Sequence, residues 1–420
     1  MNEVIKHRID TIQRGEVPDG YKKRGKSIFP VEWKTSNFER LGLIQSGLVD
    51  PTKEPYLYMQ HIGPDCIEKD TGRLMETQSS VELGLISGKF YFDSNSIVYS
   101  KIRPNLNKVC IPDFEGICSA DCYAIKPRDG IYKTYLFKLM LSFPFYKQAV
   151  CCSMRTGMPK INQDDLNAIP LIHSQNIEEQ QKIAGILTTQ DKIIELKEKR
   201  IADKHRQKKY LMQQLLTGKK RLEGFSGEWI PQKIGSCIYE LNERTTESNQ
   251  HEILSVTKNG IVRQSDHFNK QIASEDNAGY KILRRGNLAF SSMNLWMGSL
   301  DVLEICDEGI ISPAYKVFDF NISVMLSEFG KHFMKSNHMI WLYICNSEQG
   351  ASIVRRNLDL NGLLSTFITI PELKEQKAIA NILSTADNEI LLLQQDLEQE
   401  KQKKKALMQL LLTGIVRVTA

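Results

Sequence analysis

Two stretches of the chain set apolar residues seven apart on an otherwise polar background, and they lie 196 residues apart. Residues 178–218 read EEQQKIAGILTTQDKIIELKEKRIADKHRQKKYLMQQLLTG, and residues 374–414 read KEQKAIANILSTADNEILLLQQDLEQEKQKKKALMQLLLTG. They align without a gap, and 19 of the 41 positions are identical. In one apolar row Leu187, Ile194, Ile201 and Leu215 match Leu383, Ile390, Leu397 and Leu411; in a second, Ile183 and Leu211 match Ile379 and Leu407. Neither stretch contains Pro, each ends on Thr-Gly, and Lys, Glu, Gln, Leu and Ile fill the interiors. Each is therefore predicted to be one helix, a rod of about 55–60 Å.

The apolar seam is narrow, so each helix needs a partner, and the other copy is the expected one. Lys208 and Lys404 interrupt the first row at equivalent places. An antiparallel pair would create a pseudo-two-fold axis and set the intervening globular parts at opposite ends; this arrangement is the one expected.

The rest of the chain repeats more faintly. Trp33 and Trp229 share the offset, Ile97–Ser100 resembles Leu288–Ser291, and Gly116–Ser119 resembles Gly309–Ser312. Each copy closes on Ile161-Asn162 or Leu360-Asn361 and then an Ile-Pro step, Ile169-Pro170 or Ile370-Pro371. Short β-like runs are predicted at 90–92, 97–100, 123–125, 253–256, 288–290 and 315–318, between turns rich in Gly, Asn, Asp and Pro. One helix per copy is predicted, over 132–146 and 324–345. The fold class is α+β, in two pseudo-symmetric globular domains separated by two long antiparallel coiled-coil helices. The expected division is a segment 1–29, a first domain 30–175, a long helix 176–221, a second domain 222–371 and a last helix 372–420.

Composition narrows the class. A 420-residue chain with 41% hydrophobic residues buries real cores, and no run is apolar enough for a membrane span. The first residues lack the apolar stretch of a signal peptide, and nine irregularly spaced cysteines suit free thiols in a cytoplasmic protein. No metal site is expected, because no CxxC pair occurs. The formal charge of +5 is too small to announce a nucleic-acid binder. It is unevenly placed, with a net +6 over 178–221, +1 over 374–417 and −2 over the remainder.

Catalytic signatures are missing from the sequence: no [ND]-P-P-[FYW] step, no phosphate-cradling glycine loop, no nucleophile elbow and no HExxH. Pro18-Asp19 with Glu32-Trp33-Lys34 matches a nuclease spacing only formally. What remains are basic, amide-rich loops of the kind that read base edges and hold phosphates. The candidates are Lys101, Arg103, Asn105, Asn107 and Lys108 in one loop and Arg155 and Lys160 in another. In the second copy they are Lys258, Arg263, Gln264, Lys281, Arg284, Arg285, Asn294, Arg355 and Arg356. On the helices, Lys197, Lys204 and Arg206 are expected on an outward face, for partner docking or phosphate contact.

The whole pattern resembles the specificity subunit of Type I restriction–modification enzymes. The resemblance rests on the Glu179-Gln180 helix start, the Leu-Met-Gln-x-Leu-Leu-Thr-Gly helix end, the Gly224–Trp229 entry to the second copy, and the Gly15–Tyr21 stretch near the N-terminus. It implies a non-catalytic subunit whose two target-recognition domains each read one half of a split, asymmetric site in double-stranded DNA. It also implies helices that fix the gap and dock two methyltransferase subunits, with restriction motor-nuclease subunits joining them. S-adenosylmethionine, ATP and Mg would be held by those partners, and this chain would carry no cofactor. A coiled-coil adaptor between protein-binding domains, or a stand-alone DNA-binding regulator, would share the helices.

Overall fold

A computed structural model describes residues 3–153, 158–267, 276–349 and 356–418. It divides into two compact units: residues 1–197 with 396–420, and residues 198–395. The division cuts through both long helices rather than at their ends, so each unit combines one globular part with a segment of each helix.

The core of the first unit is a four-stranded antiparallel sheet of β1 (Gly42–Ile44), β2 (Ile97–Ser100), β3 (Val109–Cys110) and β4 (Cys122–Pro127), in the order β1-β4-β2-β3. All four residues of β2 are buried because both faces of the sheet are covered. Ile97 and Tyr99 face a cluster with Phe137, Met140 and Phe145, whereas Val98 joins Ile62, Phe92 and Ala124 on the other side, following the two-residue period of a strand. A second sheet adds Lys89–Phe92 antiparallel and Gln60–Ile62 parallel to Gly116–Cys118.

The sheet packs on α1 (Lys133–Leu141) and α2 (Phe143–Cys152). The sequence predicts one helix here, over 132–146. The chain instead breaks at Ser142, whose ψ of 151° is extended, and Pro144 sits in the first turn of α2. A proline there has no N–H to offer a continuing helix and clashes with the turn before it.

The second unit repeats the plan. Strands β5 (Ile238–Leu241), β6 (Leu288–Ser291), β7 (Leu300–Val302) and β8 (Tyr315–Phe320) follow the order β5-β8-β6-β7, all antiparallel. Leu288 and Phe290 face one cluster and Ala289 the other. The helix predicted over 324–345 is again two, Ser327–Phe333 and Asn337–Cys345, because Ser336 caps the second by accepting from the Met339 N–H.

Two short features fix the correspondence between units. Asn162 and Asp359 each cap a short helix, accepting from the N–H three residues on, of Asp165 and Gly362. Lys34–Asn37 pairs with Pro170–His173 as Ile230–Lys233 pairs with Phe367–Ile370. Hence Ile161-Asn162 corresponds to Leu358-Asp359, and Ile370-Pro371 to His173-Ser174. The sequence pairs Ile161-Asn162 with Leu360-Asn361 and Ile169-Pro170 with Ile370-Pro371, which share residue types but not positions in the fold.

The long helices are α3 (Ile177–Leu215) and α4 (Leu373–Leu412). Within the first unit the start of α3 runs antiparallel to the end of α4: Gln190 donates to Glu400 at 2.6 Å, and Asp191 pairs with Lys404 at 2.6 Å. Within the second, Lys204 pairs with Glu389 at 2.8 Å and Lys208 with Asp387. The lysines that interrupt the apolar row are thus answered by equivalent aspartates on the facing helix. Ile183, Leu187, Leu215, Ile379, Leu383 and Leu411 are fully buried, packed against their own unit's globular part as well as the other helix. Ile194, Ile201 and Ile390 are buried; Leu211, Leu397 and Leu407 are half-buried. Lys197 and Lys204 do not form an outward face, since Lys197 reaches Asp396 and Glu400 as Lys204 reaches Glu389; Arg206 pairs along its own helix with Asp203.

Candidate nucleic-acid interface

The described end of the second basic loop of the first copy, residues 158–160, lies beside the first loop. Leaving β2, the chain at Ile102 forms a bridge with Lys160, the Arg103 N–H donates to the Pro159 carbonyl at 2.8 Å, and the Ile161 N–H donates to the Lys101 carbonyl at 2.9 Å. This crossing gathers Lys101, Arg103, Asn105 and Lys160. Lys101 lies over the Tyr123 ring, 5.1 Å from its centroid, and burial, aided by the charge of Lys160, lowers its pKa. Arg103, Asn105 and Lys160 are exposed, and no side-chain partner holds any of them among the described residues. Two other candidates serve the fold. Asn107 is buried in a left-handed conformation (φ 46°), and Lys108 donates its ammonium to the Pro64 carbonyl at 2.7 Å. Arg155 lies outside the described residues.

The second unit brings the corresponding segments together from different residues and by a bond of the opposite sense. After β6 the Arg356 N–H donates to the Met293 carbonyl at 3.3 Å, three residues before the Asp359 cap, as Pro159 stands three before Asn162. Arg356 lies on the Trp296 ring, 5.4 Å from its centroid, with Asn294 opening the turn that carries the tryptophan. Lys258 is exposed on a hairpin turn. The remaining candidates of this unit are neutralised locally. Arg263 pairs with Glu252, Arg284 with Glu243 and Glu308, Arg285 with Asp307, and the buried Lys281 with Glu240. Gln264 donates to Ser255. A cation already facing a carboxylate has little left to attract a phosphate, so these positions are poor phosphate ligands. Arg355 lies outside the described residues.

In the sequence Glu179-Gln180 and Trp33 stand out through the repeat and the resemblance; the structure shows what they do. The carboxylate of Glu179 accepts from the Trp33 indole at 3.0 Å, from Ser174 at 2.6 Å and from Arg417 at 2.6 Å. Burial works against that charge, and the three donors outweigh it, holding its pKa below the usual carboxylate value. Glu375 accepts from Trp229 at 3.2 Å and bidentately from Arg221 at 2.7 Å. The amides of Gln180 and Gln376 tie the helix starts to backbone groups of the globular parts, at Tyr132 and Ser174 and at Leu326 and Pro371. The formal nuclease spacing is consumed by this clamp, since Glu32 also pairs with Arg417, at 2.8 Å.

Around the equivalent aspartates the units differ. Lys138, buried on α1, pairs with Asp191 beside Lys404. Its counterpart is His332, 3.8 Å from Asp387 beside Lys208; burial and the Lys208 charge push its pKa down to about 4, so it is neutral at neutral pH.

All nine cysteines are free, and among the described residues no three His, Cys, Asp or Glu side chains gather as metal ligands. No helix among the described residues is long and apolar enough to cross a membrane.

The family described as the Type I restriction modification DNA specificity domain matches residues 30–204. The Type I restriction enzyme EcoDI specificity subunit of Escherichia coli is 37% identical over 151 residues, 36% of this chain and 33% of that protein. The chain thus spans about a third of the length of that relative. In fold, a chain from a structure of a type I R-M system, described for its complex assembly and conformational transition, is similar with a TM-score of 0.60. It shares 16% identity and covers 92% of this chain and 99% of its own. The Type-I restriction-modification system S subunit from M. genitalium is similar with a TM-score of 0.52 at 13% identity, covering 95% and 99%.

Proposed function

We propose that the chain, whose residues 30–204 match the Type I restriction modification DNA specificity domain, is the DNA-reading subunit of such a system. Each globular part, 30–175 and 222–371, reads one half of a split, asymmetric site. The helices of 176–221 and 372–420 form an antiparallel frame that sets the gap between halves and docks two methyltransferase subunits, with motor-nuclease subunits joining them. The chain is non-catalytic and acts in the cytoplasm; S-adenosylmethionine, ATP and Mg belong to the partners.

One observation carries this reading. In both units the segment after the second strand of the four-stranded sheet meets the segment just before the Asn162 or Asp359 cap, on the same sheet order, yet the residues at this meeting differ. Lys101, Arg103 and Lys160 fill it in one unit, and Asn294, Trp296 and Arg356 in the other. A frame held constant under two differently furnished surfaces suits a protein that presents two unlike half-sites to equivalent partners. On this reading the half-sites stand about one helical turn apart (~34 Å), and each adenine would be flipped into a methyltransferase for reaction.

Sequencing the methylated adenines of cells with and without this chain tests the proposal. A two-part motif with an unspecified gap, present only with the chain, is the expected result; an unchanged methylation pattern would refute it.

A further inference from the structure

The crossing itself points to which side chains choose bases. Resting on the reading above, we propose that Arg103 in the first unit and Arg356 in the second are the base-reading residues of their half-sites, and that each reads a guanine.

Four observations lead there. Arg103 adopts a left-handed backbone (φ 47°, ψ 58°), a conformation unfavourable for a residue with a side chain. Its N–H is spent on Pro159, yet its side chain is exposed and has no partner among the described residues, so folding makes no use of the guanidinium that the strained turn presents. Arg356 is held in advance by a different route. It lies on Trp296 and donates through Nη1 to the Ile344 carbonyl at 3.2 Å and the Ser347 hydroxyl at 3.5 Å. Immobilised before binding, it gives up little rotamer freedom to a ligand. The Trp296 indole N–H beneath it is buried without an acceptor, a cost with no return in the fold of this unit.

Elimination supports the pair. In the second unit Arg263, Lys281, Arg284 and Arg285 all face carboxylates, and Arg356 does not. In the first, Asn107 is buried, and Lys108 and Lys160, point charges, suit a phosphate better than a base edge. A guanidinium fork matches the O6 and N7 acceptors of guanine in the major groove, and no other base offers that pair.

The test uses the full chain purified in complex with its methyltransferase subunits, selecting bound sequences from a randomised duplex library. Wild type should return two specified blocks, each containing guanine. Arg103→Ala should erase the preference for one guanine in one block, lowering discrimination there about ten- to a hundredfold, and leave the other block intact. Arg356→Ala should do the same in the opposite block. The Arg→Lys variants keep the charge and should lose the guanine preference nearly as fully. A variant that weakens binding to all sequences alike with the motif unchanged assigns the residue to phosphate and overturns the proposal. A variant that loses both blocks together also overturns it, because each arginine is given one block only. A wild-type complex that selects no sequence would instead defeat the reading beneath.

Discussion

At the scale of single residues, equivalent positions in the two units solve one electrostatic problem in two ways. Asp191 faces two lysines, one of them the buried Lys138, whereas Asp387 faces Lys208 and a histidine that burial keeps neutral. Removing one partner of a buried pair leaves the other charged and desolvated, which costs about 3–5 kcal/mol, while a neutral imidazole carries no such penalty. Asp191→Ala should therefore destabilise its unit by about 3–5 kcal/mol, and Asp387→Ala by only about 1–2 kcal/mol. Denaturant unfolding of the two variants at pH 7 checks this, and equal losses would contradict it. None of this was legible in the sequence. Lys208 and Lys404 stood out only as breaks in an apolar row, and Lys138 and His332 do not align at the 196-residue offset. Basic loop residues were equally ambiguous, because Arg284 and Arg103 look alike until a carboxylate is found facing one of them.

At the scale of elements, periodicity carried most of the information. The seven-residue repeat located α3 and α4 to within a few residues, and the buried runs at 97–100 and 288–290 marked the central strands. The breaks were harder to see: Ser142 and Ser336 divide apolar stretches that read as single helices, and only the backbone of the turn reveals it. The loop crossing was invisible for a different reason. It depends on hydrogen bonds such as Arg103 to Pro159, between segments that nothing in their own residues links. The paired helices also make a prediction of their own. Adding four residues within 195–205 and four at the matched place within 391–401 lengthens each rod by about 6 Å, slightly more than one turn. Mapping methylated adenines in such a variant should show both half-sites unchanged and the gap altered by about one to two base pairs, taking ~3.4 Å per base. An unchanged gap would remove the measuring role from the helices.

At the scale of the whole molecule, the duplication is the organising fact, and it is legible in the sequence alone. Its helices preserve their contacts as well as their residues: Trp33, Glu179 and Arg417 recur as Trp229, Glu375 and Arg221. The globular parts keep the sheet order and change the surface, so alignment by residue type slipped there, pairing Ile169-Pro170 with Ile370-Pro371 where the strand register pairs them otherwise. A constant frame with two variable readers should be separable into those parts. The most direct measurement exchanges residues 222–371 for the corresponding block of a Type I specificity subunit with a different target and maps methylated adenines in cells carrying the hybrid. The account predicts that one half-site changes while the other half-site and the gap stay as they were; a hybrid that rewrites both halves, or neither, would contradict it.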